Sequence, residues 1–72
     1  MSTTVDARGL SCPQPVLDTM MAIQSTTDDT ITVMVDTEAS KENVSRAASG
    51  KGWKVQSIDE INGEYTLTLI RG

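Results

Sequence analysis

The chain has 72 residues and a net charge of −4, which suits one small domain spanning residues 1–72. Its six Lys and Arg residues are scattered, and one Trp and one Tyr are its only aromatic residues. This composition argues against nucleic acid as the main partner, because phosphate binding needs clustered cations and often stacking rings. One Cys and no His exclude an internal disulfide and a Cys/His zinc site, and we expect no metal and no cofactor.

The sequence predicts neither a signal peptide nor a membrane-spanning segment. The N-terminal residues lack the basic and apolar regions of a signal peptide, and no apolar stretch approaches about 20 residues. We therefore expect a cytoplasmic protein without a membrane segment, in which a lone thiol stays reduced.

The first two predicted elements are a short strand over residues 3–7 and a helix over residues 13–25. The strand ends at Arg8-Gly9, and a polar stretch, "STTDD", follows the helix. At about 100° per residue, three apolar side chains of the helix share one face, which we expect to pack on the sheet. These are Val16, Met20 and Ile23, with Leu17 and Met21 at the flank.

The next two elements are a strand, "TITVMVD", and a more polar helix over residues 38–50. The strand alternates apolar and other side chains, which is typical of one buried face. The helix has a narrow apolar stripe of Val44, Ala47 and Ala48, and Thr37 or Ser40 can cap it.

Two strands that form a hairpin complete the chain. The third strand covers residues 53–60, and we expect a bulge in it, because Val55 and Ile58 point opposite ways in an ideal strand. Asn62-Gly63 predicts the hairpin turn, and Tyr65, Leu67 and Leu69 alternate with threonines in the fourth strand.

The resulting order, βαβαββ, predicts an α+β fold, a two-layer α/β sandwich with both helices on one face of the sheet. Crossover helices make strands 1, 2 and 3 parallel, and the hairpin makes strand 4 antiparallel to strand 3. The ends of strands 1 and 2 and the starts of both helices then share one edge, where we expect Cys12.

The only thiol of the chain lies in "GLSCPQP", beside both prolines. Pro13 pushes Cys12 out of helical angles, so we expect Cys12 as the N-cap, Pro13 as the first helical residue and Pro15 as the third. A thiol at a helix N-terminus has a lowered pKa, because the helix dipole stabilises the thiolate. Arg8 and Lys41 are candidates for additional positive charge, with ordinary surface charge as the alternative.

The chemistry open to this thiol is limited by what the chain lacks. Without His there is no protease-like dyad, and without a second Cys no thioredoxin-type cycle runs within one chain. One thiolate can still accept a group, hold it and pass it to the thiol of a partner. A sulfane sulfur carried as Cys12-S-S⁻ fits this requirement.

The pattern Asp6-x-x-Gly9-x-x-Cys12-Pro13-x-Pro15 resembles the signature of the TusA/SirA-like sulfur-carrier family, and the resemblance extends over essentially the whole chain. It implies a mixed sheet of order 1-2-4-3 and a persulfide on Cys12. It also implies a sulfur donor of the cysteine desulfurase or rhodanese type, and a thiol-bearing acceptor protein. Such a carrier is sulfurtransferase-like but has no substrate pocket of its own.

The stretch "VDTEASKENVSR", residues 35–46, departs from the family members that act in tRNA modification. It is similar to the N-terminal domain of YedF-like proteins, which are associated with selenium metabolism. Many of those proteins have a second, DsrE-like domain, so the chain is either a stand-alone member or an excised domain. The choice between sulfur and selenium stays open.

A carrier without a pocket must be recognised through the surface around its sulfur. We expect a docking patch of Leu10, Leu17 and Met21, and the alternative is that Leu17 and Met21 belong to the core. A second function also stays open, that of a binding or regulatory module in which the Cys12 loop only recognises a partner.

Overall fold

A four-stranded mixed sheet with two helices on one face forms the fold in a computed structural model, which describes residues 3–11 and 13–72. The helices are α1, Gln14–Ser25, and α2, Glu38–Gly50. The strands are β1, Thr3–Asp6, β2, Thr30–Val35, β3, Trp53–Ile61, and β4, Glu64–Arg71. The predicted two-layer βαβαββ sandwich is therefore confirmed. Within the described residues, no helix is long and apolar enough to cross a membrane.

The strand order is β1-β2-β4-β3, as the family resemblance implied. β1 and β2 pair in parallel, with Val5 opposite Val33. β4 lies between β2 and β3 and is antiparallel to both, so that Leu67 faces Val33 on one side and Ile58 on the other. β1, β2 and β3 thus run in the same direction, and the C-terminal ends of β1 and β2 lie at the same edge of the sheet.

The hairpin between β3 and β4 has the turn and the bulge that the sequence predicts. Asn62 and Gly63 both have positive φ angles, 53° and 80°, which a type I′ turn requires. The pairing with β4 shifts register between Val55 and Ser57. This bulge brings Val55 and Ile58 to the same face of the sheet.

The core lies between the sheet and the helices. Ile31, Val33 and Val35 of β2 are fully buried, as the alternating pattern predicts. Helix α2 packs on them through Val44, Ala48 and the small polar Ser40, whereas Ala47 is only half-buried. The full set of buried hydrophobic residues is Ala7, Ile31, Val33, Val35, Val44, Ala48, Trp53, Leu67 and Leu69.

The packing face of α1 differs from the predicted one. Its fully buried residues are Pro15 and Thr19, and the predicted Met20 is only half-buried. Burial of Thr19 is tolerated because its hydroxyl donates a 2.8 Å hydrogen bond to the Pro15 carbonyl oxygen one turn earlier. Val16 and Ile23 still pack against the core, from the edge of the face rather than its centre.

Candidate functional site

The loop between β1 and α1 lies at the edge where β2 ends and α2 begins. Cys12 belongs to this loop in the sequence but lies outside the described residues. The geometry of the site is therefore given by the residues on either side of it, from Ala7 to Ser11 and from Pro13 onward.

An ionic clamp of Asp6, Arg8 and Glu64 holds the start of the loop. The Arg8 guanidinium donates two hydrogen bonds of 2.9 Å to the two carboxylate oxygens of Asp6, one from Nε and one from Nη2. Its Nη1 reaches Glu64 Oε1, at the start of β4, at 3.3 Å. The Arg8 backbone N–H also donates to Asp6 Oδ1 at 3.2 Å. The clamp therefore joins the end of β1 to the β3–β4 hairpin.

The clamp shifts the pKa values of Asp6 and Arg8 away from neutral pH. Hydrogen bonds from the Arg8 side chain, then from its backbone N–H, lower the pKa of Asp6 to about 2. The hydrogen bond to Asp6, followed by that to Glu64, raises the pKa of Arg8 further above its already high value. Arg8 is therefore always charged, but its charge is matched by two carboxylates. A role for Arg8 in favouring the Cys12 thiolate stays a prediction.

A second tie connects the loop to the end of β2. The Gly9 N–H donates a 2.7 Å hydrogen bond to Asp36 Oδ2, and the Ala7 N–H donates to the Met34 carbonyl oxygen at 2.8 Å. Gly9 has a φ of +78°, an angle that residues with a side chain rarely adopt. Glycine is thus needed here for the backbone angle that turns the N–H toward Asp36.

Helix α1 begins one residue later than predicted. Pro13, with φ −96° and ψ 18°, is the N-cap residue, Gln14 is the first helical residue and Pro15 is the second. The reason is a turn ahead of the helix, closed by a 2.9 Å hydrogen bond from the Gln14 N–H to the Ser11 carbonyl oxygen. The prediction that Cys12 is the N-cap and Pro13 the first helical residue was wrong by one position. Pro13 has no side-chain cap hydrogen bond.

Lys41 lies in the first part of α2, after the Thr37 cap, whose hydroxyl accepts from the Ser40 N–H at 3.1 Å. The Lys41 ammonium group is 5.0 Å from the centre of the Tyr65 ring, a cation–π distance. This contact holds Lys41 against β4, and its predicted effect on the thiol stays untested.

The three predicted docking residues are exposed. Leu10 is 37% exposed, Leu17 49% and Met21 66%. The alternative that Leu17 and Met21 form part of the core is therefore excluded. Their role in docking stays a prediction.

Two residues of the site, Asp36 and Glu64, were not predicted from the sequence. Asp36 directly follows β2 at the edge of the loop, a position that suggests a role, whereas Glu64 gives no signal in the sequence. Among residues 3–11 and 13–72, no three His, Cys, Asp or Glu side chains are grouped to hold a metal ion.

Comparison with known proteins places this arrangement in a family. The family model described as "Sulfurtransferase TusA" matches residues 3–71. A crystal structure of a SirA-like protein from Desulfitobacterium hafniense has a TM-score of 0.85 and 31% identity, over 100% of this chain and 99% of that one. A search of curated protein sequences found no match. The chain belongs to the TusA sulfurtransferase family.

Proposed function

We propose that the protein is a sulfur carrier that holds sulfane sulfur as a persulfide on Cys12 and passes it from a donor protein to an acceptor protein. The observation that carries this proposal is the position of the only thiol of the chain. In the sequence it stands between a loop held by hydrogen bonds at Arg8 and Gly9 and a proline N-cap, in a chain whose residues 3–71 match a sulfurtransferase family.

The transfer needs no oxidant, reductant or cofactor. In loading, the Cys12 thiolate attacks the terminal sulfur of a donor persulfide, a sulfur–sulfur bond forms on Cys12, and the donor thiolate leaves. In unloading, an acceptor thiolate attacks the terminal sulfur of Cys12-S-S⁻ and Cys12 leaves as a thiolate. Each step breaks one bond to sulfur and forms one, so a single thiol suffices.

The start of α1 supports this chemistry electrostatically. A helix of 12 residues places partial positive charge at its N-terminus, which stabilises a thiolate or a persulfide anion near it. The residues that precede Cys12 are held to the sheet by hydrogen bonds at Arg8 and Gly9, so the approach to the helix start is anchored on that side.

Partner proteins would recognise the exposed apolar residues beside the thiol, which we call the docking patch, Leu10, Leu17 and Met21. Met21 adapts to surfaces of different shape, which suits a carrier with more than one partner. A donor of the cysteine desulfurase or rhodanese type would dock here first, followed by a thiol-bearing acceptor.

Mass spectrometry tests the proposal. The protein is incubated with a cysteine desulfurase and cysteine, and its intact mass is measured without reductant. We expect the mass of one added sulfur atom, removed by dithiothreitol, and no addition to Cys12→Ala. Equal addition to Cys12→Ala, or no addition to the wild type from desulfurase and rhodanese donors, would refute the carrier function.

The same variants separate carriage from a purely regulatory role. A binding module would keep its partners when Cys12 is replaced by Ser, and neither the wild type nor the Cys12→Ser variant would acquire sulfur. A carrier loses sulfur transfer completely in Cys12→Ser, while its fold and its docking patch remain.

A further inference from the structure

A groove of about 370 Å³ lies between the start of α1 and the middle of α2. It is lined by Pro13 and Val16 from the first helix and by Asn43, Arg46 and Ala47 from the second. Its size falls at the lower end of the roughly 300–1,000 Å³ typical of ligand sites. Pro13 directly follows Cys12 in the chain, so an occupant of this groove would lie next to the residue that carries the sulfur.

The groove combines apolar walls with one cation. Pro13, Val16 and Ala47 supply aliphatic surface that is only partly covered by the protein itself. Arg46 is exposed and forms no hydrogen bond or ion pair with any of the described residues. The other two arginines are both paired, Arg8 with Asp6 and Glu64 and Arg71 with Asp29. The guanidinium of Arg46 is thus available to a carboxylate from outside.

We propose that this groove binds an acidic and apolar segment of the protein that exchanges sulfur with Cys12, with a carboxylate of that segment on Arg46. The identity of the partner, a protein that exchanges sulfur with Cys12, depends on the proposed carrier function. A guanidinium suits a carboxylate because its donors match the two oxygens in a fork, and an apolar side chain beside the carboxylate would fill the space between Pro13, Val16 and Ala47.

A second copy of this chain is a poorer occupant. The net charge of −4 makes two copies repel each other. The groove also continues into the docking patch, because Val16, Pro13, Leu17 and Met21 follow one another around α1 at about 100° per residue. A single partner would therefore cover both surfaces.

Binding of a peptide tests the groove directly. The probe is acetyl-Ala-Leu-Glu-Leu-Ala-amide, titrated into the ¹⁵N-labelled protein and followed by NMR, with the Glu-to-Lys version of the peptide as control. We expect saturable shifts at Val16, Ala47 and the Arg46 Nε–H, and none with the lysine peptide. Arg46→Glu should weaken the affinity about three- to tenfold, the range expected for an exposed charge contact that is reversed. Lys51→Glu, at the C-cap of α2 and about 140° around the helix axis from Arg46, changes the net charge equally and should have no effect.

Protection of Cys12 provides a second readout. Saturating peptide should slow alkylation of the thiol by iodoacetamide about twofold or more, at a pH where the thiol is fully ionised, and Arg46→Glu should remove the protection. Equal binding of both peptides, shifts confined to Leu17 and Met21, or no saturable shift would overturn the proposal. Shifts at Val16 and Ala47 that depend on protein concentration without peptide would overturn it in favour of self-association. Since peptide binding does not require sulfur, failure of the carrier function would appear separately in the mass measurement.

Discussion

Replacing the two exposed apolar residues of α1 separates docking from stability. In the double variant Leu17→Lys/Met21→Lys we expect sulfur loading to slow strongly while the fold remains intact. Leu17 is 49% exposed and Met21 66%, so about half of one side chain and a third of the other are buried. Full burial of such a side chain stabilises by roughly 1.5–3 kcal/mol, so the buried parts together contribute about 1–2.5 kcal/mol.

The lysine stems recover part of this contribution, because their methylene groups cover the same apolar surface while the charge stays in water. The expected net loss is therefore about 1 kcal/mol in the free energy of unfolding. A core variant provides the contrast. Leu67→Ala removes a side chain that is 0% exposed and should cost about 2–5 kcal/mol.

Urea unfolding measures the stability, and the initial rate of sulfur loading from a cysteine desulfurase measures docking. Two apolar contacts at an interface centre are worth about 1 kcal/mol or more, which corresponds to a rate at least about fivefold lower. The control is Thr27→Lys/Gln56→Lys, which adds the same two charges at exposed positions outside the loop and the docking patch. Loading at the wild-type rate in the α1 variant, or equal slowing in the control, would refute the docking patch.

Three further predictions concern the loop. The pKa of the Cys12 thiol should lie below the value of about 8.5 for a free cysteine, as measured from the rate of iodoacetamide alkylation against pH. A pKa at or above about 8.5 would refute the effect of the helix start. An unchanged pH curve in Arg8→Ala would show that Arg8 does not contribute to this effect. Asp36→Ala should destabilise the protein by about 0.5–1.5 kcal/mol and speed hydrogen exchange of the Gly9 amide. Asp36→Asn keeps a hydrogen-bond acceptor and should have a smaller effect. Unchanged exchange at Gly9 would show that the 2.7 Å hydrogen bond between Gly9 and Asp36 does not hold the loop. The pKa of Asp6 is about 2 in the folded protein against 3.8 for the free side chain, so its ionised form stabilises the fold above pH 3.8 and this contribution is lost as the pH falls toward 2. The stability difference between the wild type and Asp6→Asn should therefore be constant above that range and shrink within it, and a difference that stays constant down to pH 2 would contradict the clamp.

The elements that the sequence predicts well are those governed by local rules. The alternation in β2 depends only on which side chains face the core, and Asn62-Gly63 specifies its turn through two positive φ angles. The bulge in β3 follows from the same parity argument, because without it Val55 and Ile58 would point to opposite faces of the sheet. The fold class and the edge that holds the loop could be derived from these rules and from the handedness of crossover connections.

The features that were missed depend on contacts between distant residues or on polar residues in apolar roles. Thr19 lies in the buried face of α1 because its hydroxyl bonds the helix backbone, which a hydrophobic pattern does not register. Arg8 and Glu64 are 56 positions apart, and Gly9 and Asp36 are 27 apart, so no local spacing indicates either contact. The start of α1 was misplaced by one residue because Ser11 and Gln14 close a turn ahead of it.

The two sides of the Cys12 loop differ in chemistry, and the difference indicates how a partner approaches. On the side of the sheet, the charged and polar groups of the loop are paired within the protein. Arg8 forms ion pairs with Asp6 and Glu64, and the Gly9 N–H donates a hydrogen bond to Asp36. On the side of the helices, the apolar residues Leu17 and Met21 and the cation of Arg46 have no such pairing among the described residues. A partner that approached from the sheet side would have to break these hydrogen bonds and ion pairs, which costs free energy. A partner on the helix side instead buries apolar surface, which is favourable. We therefore expect donor and acceptor to approach Cys12 from the helix side, while the ionic clamp keeps the loop in place during both transfers.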